Sequence, residues 1–265
     1  MEGIKLAARD GSGPRKTVVE VGGARIGGTF TLLAGLESAG DEAAALAAAR
    51  TVKDAGAGLL RWPAGEVGGF GRIRALADRA GLPAIIEVTD TKEVVPAAAA
   101  ADVLMVGAAN MQNFSLLKEL GRSAGKPVLL VRGWHATLKE WLNSAEYVLF
   151  EGNPAVILCD AGIRSFESGA RVVLDLSAIP AVKDISHLPI VLDVGRAGGP
   201  EEIEKMGLAA VAAGVDGLLL EVGLASASSR GSAPEAGLSP EAFAGLARKF
   251  AAMSRLMEGL GLDHD

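Results

Sequence analysis

The sequence predicts an α/β fold, a single (β/α)8 (TIM) barrel with a short N-terminal β-hairpin. Three features carry that expectation. Short apolar runs recur eight times, each followed by an amphipathic stretch. The runs are apolar throughout instead of alternating, as parallel strands covered on both faces must be. The length of 265 residues suits one such barrel, and no stretch reads as a linker, so one domain over 1–265 is expected.

The elements follow in order. Apolar alternation on either side of Gly22-Gly23 predicts a hairpin over 17–28. Buried-strand runs then occupy 30–34, 58–61, 84–88, 103–106, 128–131, 156–159, 190–194 and 217–222. Helical periodicity is plainest over 42–55, 114–123, 138–150 and 200–213. Residues 223–239, rich in Ser, Ala and Gly, read as a long loop after the eighth strand, and a last helix starts at Pro240.

Composition narrows the partners. Apolar residues make up 49% and aromatics only 4%, which predicts a core of Ala, Val, Leu and Ile. A net charge of −6 with no basic run argues against nucleic acid and against an anionic membrane surface. Cys159 is the single cysteine, so no intrachain disulfide forms, as expected in a reducing cytoplasm. Met1 to Lys5 does not read as a signal peptide, and no apolar run is long enough for a membrane span.

In such barrels chemistry sits where strands end. Glu37, Arg61, Glu87, Arg132, Asp160, Arg164, Asp193, Arg196 and Glu221 fall there. Acids and arginines are nearly balanced. One reading is a polar pocket for a small anionic or sugar-phosphate-like ligand; the other is an ion-pair network that binds nothing.

Two stretches, Asn110-Met111-Gln112-Asn113-Phe114 and Gly152-Asn153-Pro154 through Gly162-Ile163-Arg164, resemble signature segments of the 3-deoxy-arabino-heptulosonate 7-phosphate (DAHP) synthase family. Further matches, including Arg132-Gly133, Leu174-Asp175-Leu176-Ser177 and His187-Leu188-Pro189, extend the resemblance over most of the chain. It implies the same barrel, cytoplasmic biosynthesis of aromatic amino acids, and a homo-oligomer. It implies condensation of phosphoenolpyruvate with erythrose 4-phosphate, usually with a divalent metal; related octulosonate-phosphate synthases use arabinose 5-phosphate.

The resemblance also shows departures. The family's metal ligands are a cysteine, a histidine, a glutamate and an aspartate; here those positions hold Glu37, Arg196, Glu221 and a residue near Ala233. A guanidinium cannot ligate a metal, so Glu221 alone is clearly retained and no cofactor is expected. Three cations that the family places on the phosphate correspond to Ala109, Val131 and Ala161. A basic loop after the second strand is replaced by Trp62 through Phe70, which has no basic residue. Retained polar positions are Arg61, Glu87, Asn110, Gln112, Arg132, Arg164, Arg171 and Asp193 as ligand contacts, with Arg164 and Arg171 on the sugar-phosphate side.

The catalytic candidates are Glu37, Arg196, Glu221 and His135. Replacement of Cys by Glu37 and of His by Arg196 predicts that the Arg196 guanidinium stands where the metal stood, bridging Glu37 and Glu221. If that cluster is buried, Arg196→Ala would cost roughly 3–5 kcal/mol. His135, after Trp134, is expected to roof a pocket as acid or base, or simply to pack the loop. Cys159 is expected to be a buried structural thiol, His187 structural at the opposite end, and His264 part of a frayed tail. The 195–199 glycine-rich loop faces a helix start filled by Glu201 and Glu202, which disfavours an anion there. The leading functional expectation is a diverged DAHP synthase-like protein that lost the metal-dependent condensation and binds a ligand or a partner. The competing expectation is an active aldolase or transferase that works without metal on a modified substrate.

Overall fold

Glycine geometry opens the chain. In a computed structural model that describes residues 4–9, 14–37, 41–63, 69–166, 172–224 and 237–262, β1 (Val19–Val21) pairs antiparallel with β2 (Ala24–Ile26). Gly22 (φ 55) and Gly23 (φ 92) make the turn, both in the left-handed region that a two-residue hairpin loop demands.

Eight parallel strands follow: β3 (Thr31–Leu36), β4 (Ala57–Trp62), β5 (Ala84–Glu87), β6 (Val103–Val106), β7 (Val128–Val131), β8 (Val156–Asp160), β9 (Ile190–Asp193) and β10 (Gly217–Val222). Each pairs with the next, and β10 closes on β3, so the sheet has no edge. The fold is the expected (β/α)8 barrel with its hairpin. Around it lie α1 (Glu42–Asp54), α2 (Phe70–Ala80), α3 (Thr91–Ala100), α4 (Phe114–Ser123), α5 (Leu138–Phe150), α6 (Ala178–Ile185), α7 (Pro200–Ala212) and α8 (Pro240–Gly259). No helix among the described residues is long and apolar enough to cross a membrane.

Local chemistry sets the helix starts. Asp90 with Glu93, and Thr137 with Glu140, form capping boxes that satisfy the first N–H groups of α3 and α5. Ser239 caps α8, with Pro240 in the first turn. The helix starts at 42, 114, 138, 200 and 240 fall where periodicity predicts them. The main difference lies in β3, which runs on to Leu36 because β10 pairs with it through Val222.

Side-chain alternation divides the core in two. One layer fills the space between sheet and helices and includes Leu60, Trp62, Leu104, Trp141 and Phe250. The other fills the barrel interior with Leu33, Leu59, Ile85, Leu129, Ile157, Val191 and Leu219. Val19, Val21 and Ile26 of the hairpin belong to that interior cluster, so the hairpin stoppers the N-terminal end. At the same end His187 is buried and bonded on both ring nitrogens, to Thr17 Oγ1 at 2.7 Å and Leu6 O at 2.6 Å. It is structural, as expected. Leu238 returns beside Val222 of β10, which ties the end of the 223–239 segment to the strand. Arg171, Ala233, His264 and residues 64–68 lie outside the described residues.

Candidate functional site

Strand register builds the floor of the barrel mouth. Glu221 of β10 lies opposite Gly35 of β3, and Gly35 lies opposite Arg61 of β4. A Cβ on residue 35 would stand 2.6 Å from Glu221 Oε2 and 3.0 Å from Arg61 Nε. Glycine therefore leaves the gap through which Arg61 reaches over β3 to the acid two strands away. Arg61 Nη2 donates to Glu221 Oε2 at 2.5 Å, with the two side chains only 17% and 21% exposed. Arg61 also feels the charges of Asp193 and Glu87. Burial opposes its charge, yet these acids keep the guanidinium more basic than usual.

The other acids crowd the same space. Asp193 is buried; Gly195 N–H donates to its Oδ1 at 3.1 Å and Arg196 Nε to its Oδ2 at 3.3 Å. Burial, then the negative charge of Glu221, pushes the Asp193 carboxyl up to about 6. Glu37 accepts a hydrogen bond from Gly237 N–H. Burial raises its carboxyl, that bond opposes the rise, and Glu221 adds to it. Gly107 sits where any side chain would collide with Glu87.

The opposite half of the floor is apolar. Val131, Cys159 and Ala161 belong to the interior cluster, with Met105 and Ala108 packed against it. Burial, reinforced by Asp193 and Asp160, pushes the Cys159 thiol well up, so it is an inert core thiol as expected.

Several expected site residues take other roles. Arg196 does not bridge Glu37 and Glu221. It lies on a 3-10 turn (Val194–Arg196) beyond the end of β9, is 48% exposed and faces Asp193. Arg61 pairs with Glu221 instead, because it stands on the strand beside Gly35, while Glu37 accepts from Gly237 N–H. Arg132 is a buried clamp: Nη1 lies 2.9 Å from both Asp160 Oδ2 and Asp175 Oδ2, and Nε donates to Ala136 O. Against the upward push of burial, Ser177 and Arg132 hold the Asp175 carboxyl below its ordinary value. Asn110 supports the start of α4, since its Oδ1 accepts from Asn113 Nδ2 at 3.3 Å and Asn113 caps the helix. Gln112 lines a cavity of about 680 Å³ on the outer flank between α4 and α5, away from the strand ends. His135 is exposed, and no hydrogen bond or ion pair holds its ring among the described residues. Arg164 is exposed, with its N–H donating to Trp134 O at 2.9 Å and no ion pair among the described residues.

Residues 63–257 match the DAHP synthetase I family. The chain belongs to this family. It is 37% identical over 233 residues to the phospho-2-dehydro-3-deoxyheptonate aldolase of Thermotoga maritima, covering 82% of this chain and 68% of that protein. A 2-dehydro-3-deoxyphosphooctonate aldolase of Geobacter sulfurreducens is 28% identical over 162 residues, and the chain spans only 58% of it. The solved truncated form of the Thermotoga maritima 3-deoxy-D-arabino-heptulosonate 7-phosphate synthase superposes with a TM-score of 0.87 at 35% identity, covering 97% of this chain and 98% of that one.

The DAHP synthase resemblance implies a divalent ion, and the donor set here does not suit one. Arg196 has no lone pair to offer, and Glu221 Oε2 is held by Arg61. Among the described residues, no three His, Cys, Asp or Glu side chains gather into a group that could hold a metal. The acid–guanidinium contact, with the glycines Gly35, Gly107, Gly195 and Gly237 around it, escapes a reading that follows charged residues alone. The inward position of Gly35 on β3, flanked in register by two charged positions, is the signal that could have found it.

Arg61→Ala strands Glu221 and its neighbours and should destabilise the fold by about 3 kcal/mol, whereas Arg196→Ala should cost less than about 1 kcal/mol. Urea unfolding midpoints compare the two; equal losses would contradict this assignment. Asp193 holds a proton in the folded chain up to pH about 6, against 3.8 for the ordinary group. Its contribution is full below pH ~4 and lost as pH rises through ~6, by up to about 3 kcal/mol. Asp193→Asn keeps an acceptor for Gly195, so its stability relative to wild type should climb over that window in thermal melts.

Proposed function

We propose that this DAHP synthase-family barrel does not perform metal-dependent condensation of phosphoenolpyruvate with erythrose 4-phosphate, and that it binds a small polar ligand at its mouth. The observation that carries this reading is the Arg61 guanidinium on Glu221, the one clearly retained carboxylate of the implied metal set. A fixed organic cation neutralises charge but offers no open coordination position to polarise an aldehyde.

A second support is the apolar half of the floor. Val131 and Ala161 are 3% and 2% exposed, so two positions from which cations would grip an enol phosphate are packed hydrocarbon. Each lost charge-assisted contact is worth about 1.5–3 kcal/mol. The accessible cations, Arg164 and Arg196, lie farther out and would hold the anionic end of a ligand at the rim. The reading fits a cytoplasmic protein of the aromatic biosynthetic family that has exchanged catalysis for binding.

Phosphate release from phosphoenolpyruvate and erythrose 4-phosphate in the presence of Mn²⁺ is the direct assay. No release above the protein-free control is expected, and clear turnover overturns the proposal. A thermal-shift series with sugar phosphates and keto acids should show stabilisation that Arg164→Ala removes.

A further inference from the structure

On the outer flank of the barrel, α4 and α5 are locked into one surface. Gly121 lets the two helices touch: a Cβ there would meet Glu151 Cβ at 2.5 Å and Val148 O at 2.7 Å. Beside it Arg122 grips Glu151 at two points, Nε to Oε2 at 2.5 Å and Nη2 to Oε1 at 2.8 Å. Further along, the Phe114 and Tyr147 rings stack with centroids 4.6 Å apart, and Lys118 Nζ lies 5.6 Å from the Tyr147 centroid. The cavity of about 680 Å³ between the helices is lined by these side chains. A surface held together in this way loses little freedom when something docks on it.

Phe150, the last residue of α5, also borders this cavity and is 80% exposed. An aromatic-walled groove next to an uncovered phenyl ring is a hole beside its own knob. Two-fold symmetry uses both at once, because an isologous contact sets the same patch against itself and each ring enters the other copy's groove. A different partner would fill the groove and leave the ring without a matching hole. The charges fit the same symmetry. Lys118 on α4 makes no ion pair among the described residues. Glu140, two turns before Tyr147 on α5, gives Oε2 to Thr137, and its Oε1 has no hydrogen bond among the described residues. A two-fold axis standing over the groove lays α4 of one copy antiparallel against α5 of the other, which brings each Lys118 toward the other copy's Glu140.

We propose that the α4–α5 flank is an interface between two copies of this chain, with Phe150 of each buried in the groove of the other. The aromatic rings are its centre, and the reciprocal Lys118–Glu140 pairs fix its orientation. The groove lies away from the strand ends, so the contact leaves the mouth open.

Sedimentation equilibrium of the full chain at tens of micromolar tests the assignment. A dimer, or an even multiple of one, is expected. Phe150→Asp should weaken the association by about tenfold or more while its far-UV dichroism stays that of the wild type, since the exposed ring does not build the core. Lys118→Glu and Glu140→Lys, each alone, set like charges against each other in both contacts. Mixed in equal amounts, they restore an opposite pair at both contacts, so the mixture should associate about tenfold or more tightly than either variant by itself. A monomeric wild type leaves the groove to another occupant and overturns the proposal. So does Phe150→Asp associating as tightly as wild type, or a mixture that associates no better than its parts.

Discussion

The contact of Arg61 with Glu221 across a glycine organises the mouth of this barrel. It exists only because the sheet is closed: the last strand returns to the first, which brings residue 221 within two strands of residue 61. Gly35 between them supplies the missing side chain that such a crossing needs. Without closure the acid has no partner; without the glycine the arginine has no path. The pair is largely shielded from water, so its attraction is strong, and so is the cost of losing either member. Burial, reinforced by the negative charge of Glu221, is why Asp193 holds its proton above the usual range.

The floor that results is divided. On the side of β4, β5, β9 and β10 it presents an arginine among carboxyls; on the side of β7 and β8 it presents Val131, Cys159 and Ala161. The two halves favour different chemistry. The first carries charged groups that make hydrogen bonds, and the second is packed hydrocarbon. That division, with Arg61 on Glu221 and hydrocarbon at Val131 and Ala161, is the physical sense in which this family member departs from the pattern its sequence resembles.

Much of the architecture is legible in the sequence. Continuous apolar runs such as Val128 to Val131 specify parallel strands, and the periodicity from Leu138 and the proline at 240 mark helix starts. The site was harder to read. Arg132 looks like a ligand contact in sequence, yet Asp175, more than 40 positions away, claims it along with Asp160. Arg196 looks like the bridging cation because it occupies an implied ligand position, but the chain turns outward after β9 and carries it to the surface. Gln112 faces the helices' outer flank because the turn before α4 rotates it away from the strand ends. In each case the deciding quantity is the direction a side chain takes beyond a strand end, which period-two alternation no longer governs.

The hairpin wedge of Val19, Val21 and Ile26 makes the barrel a blind well. Whatever visits the Arg61 floor must enter and depart through one opening, in single file with the water it displaces. Traffic at that opening is therefore mutually exclusive with anything held across it.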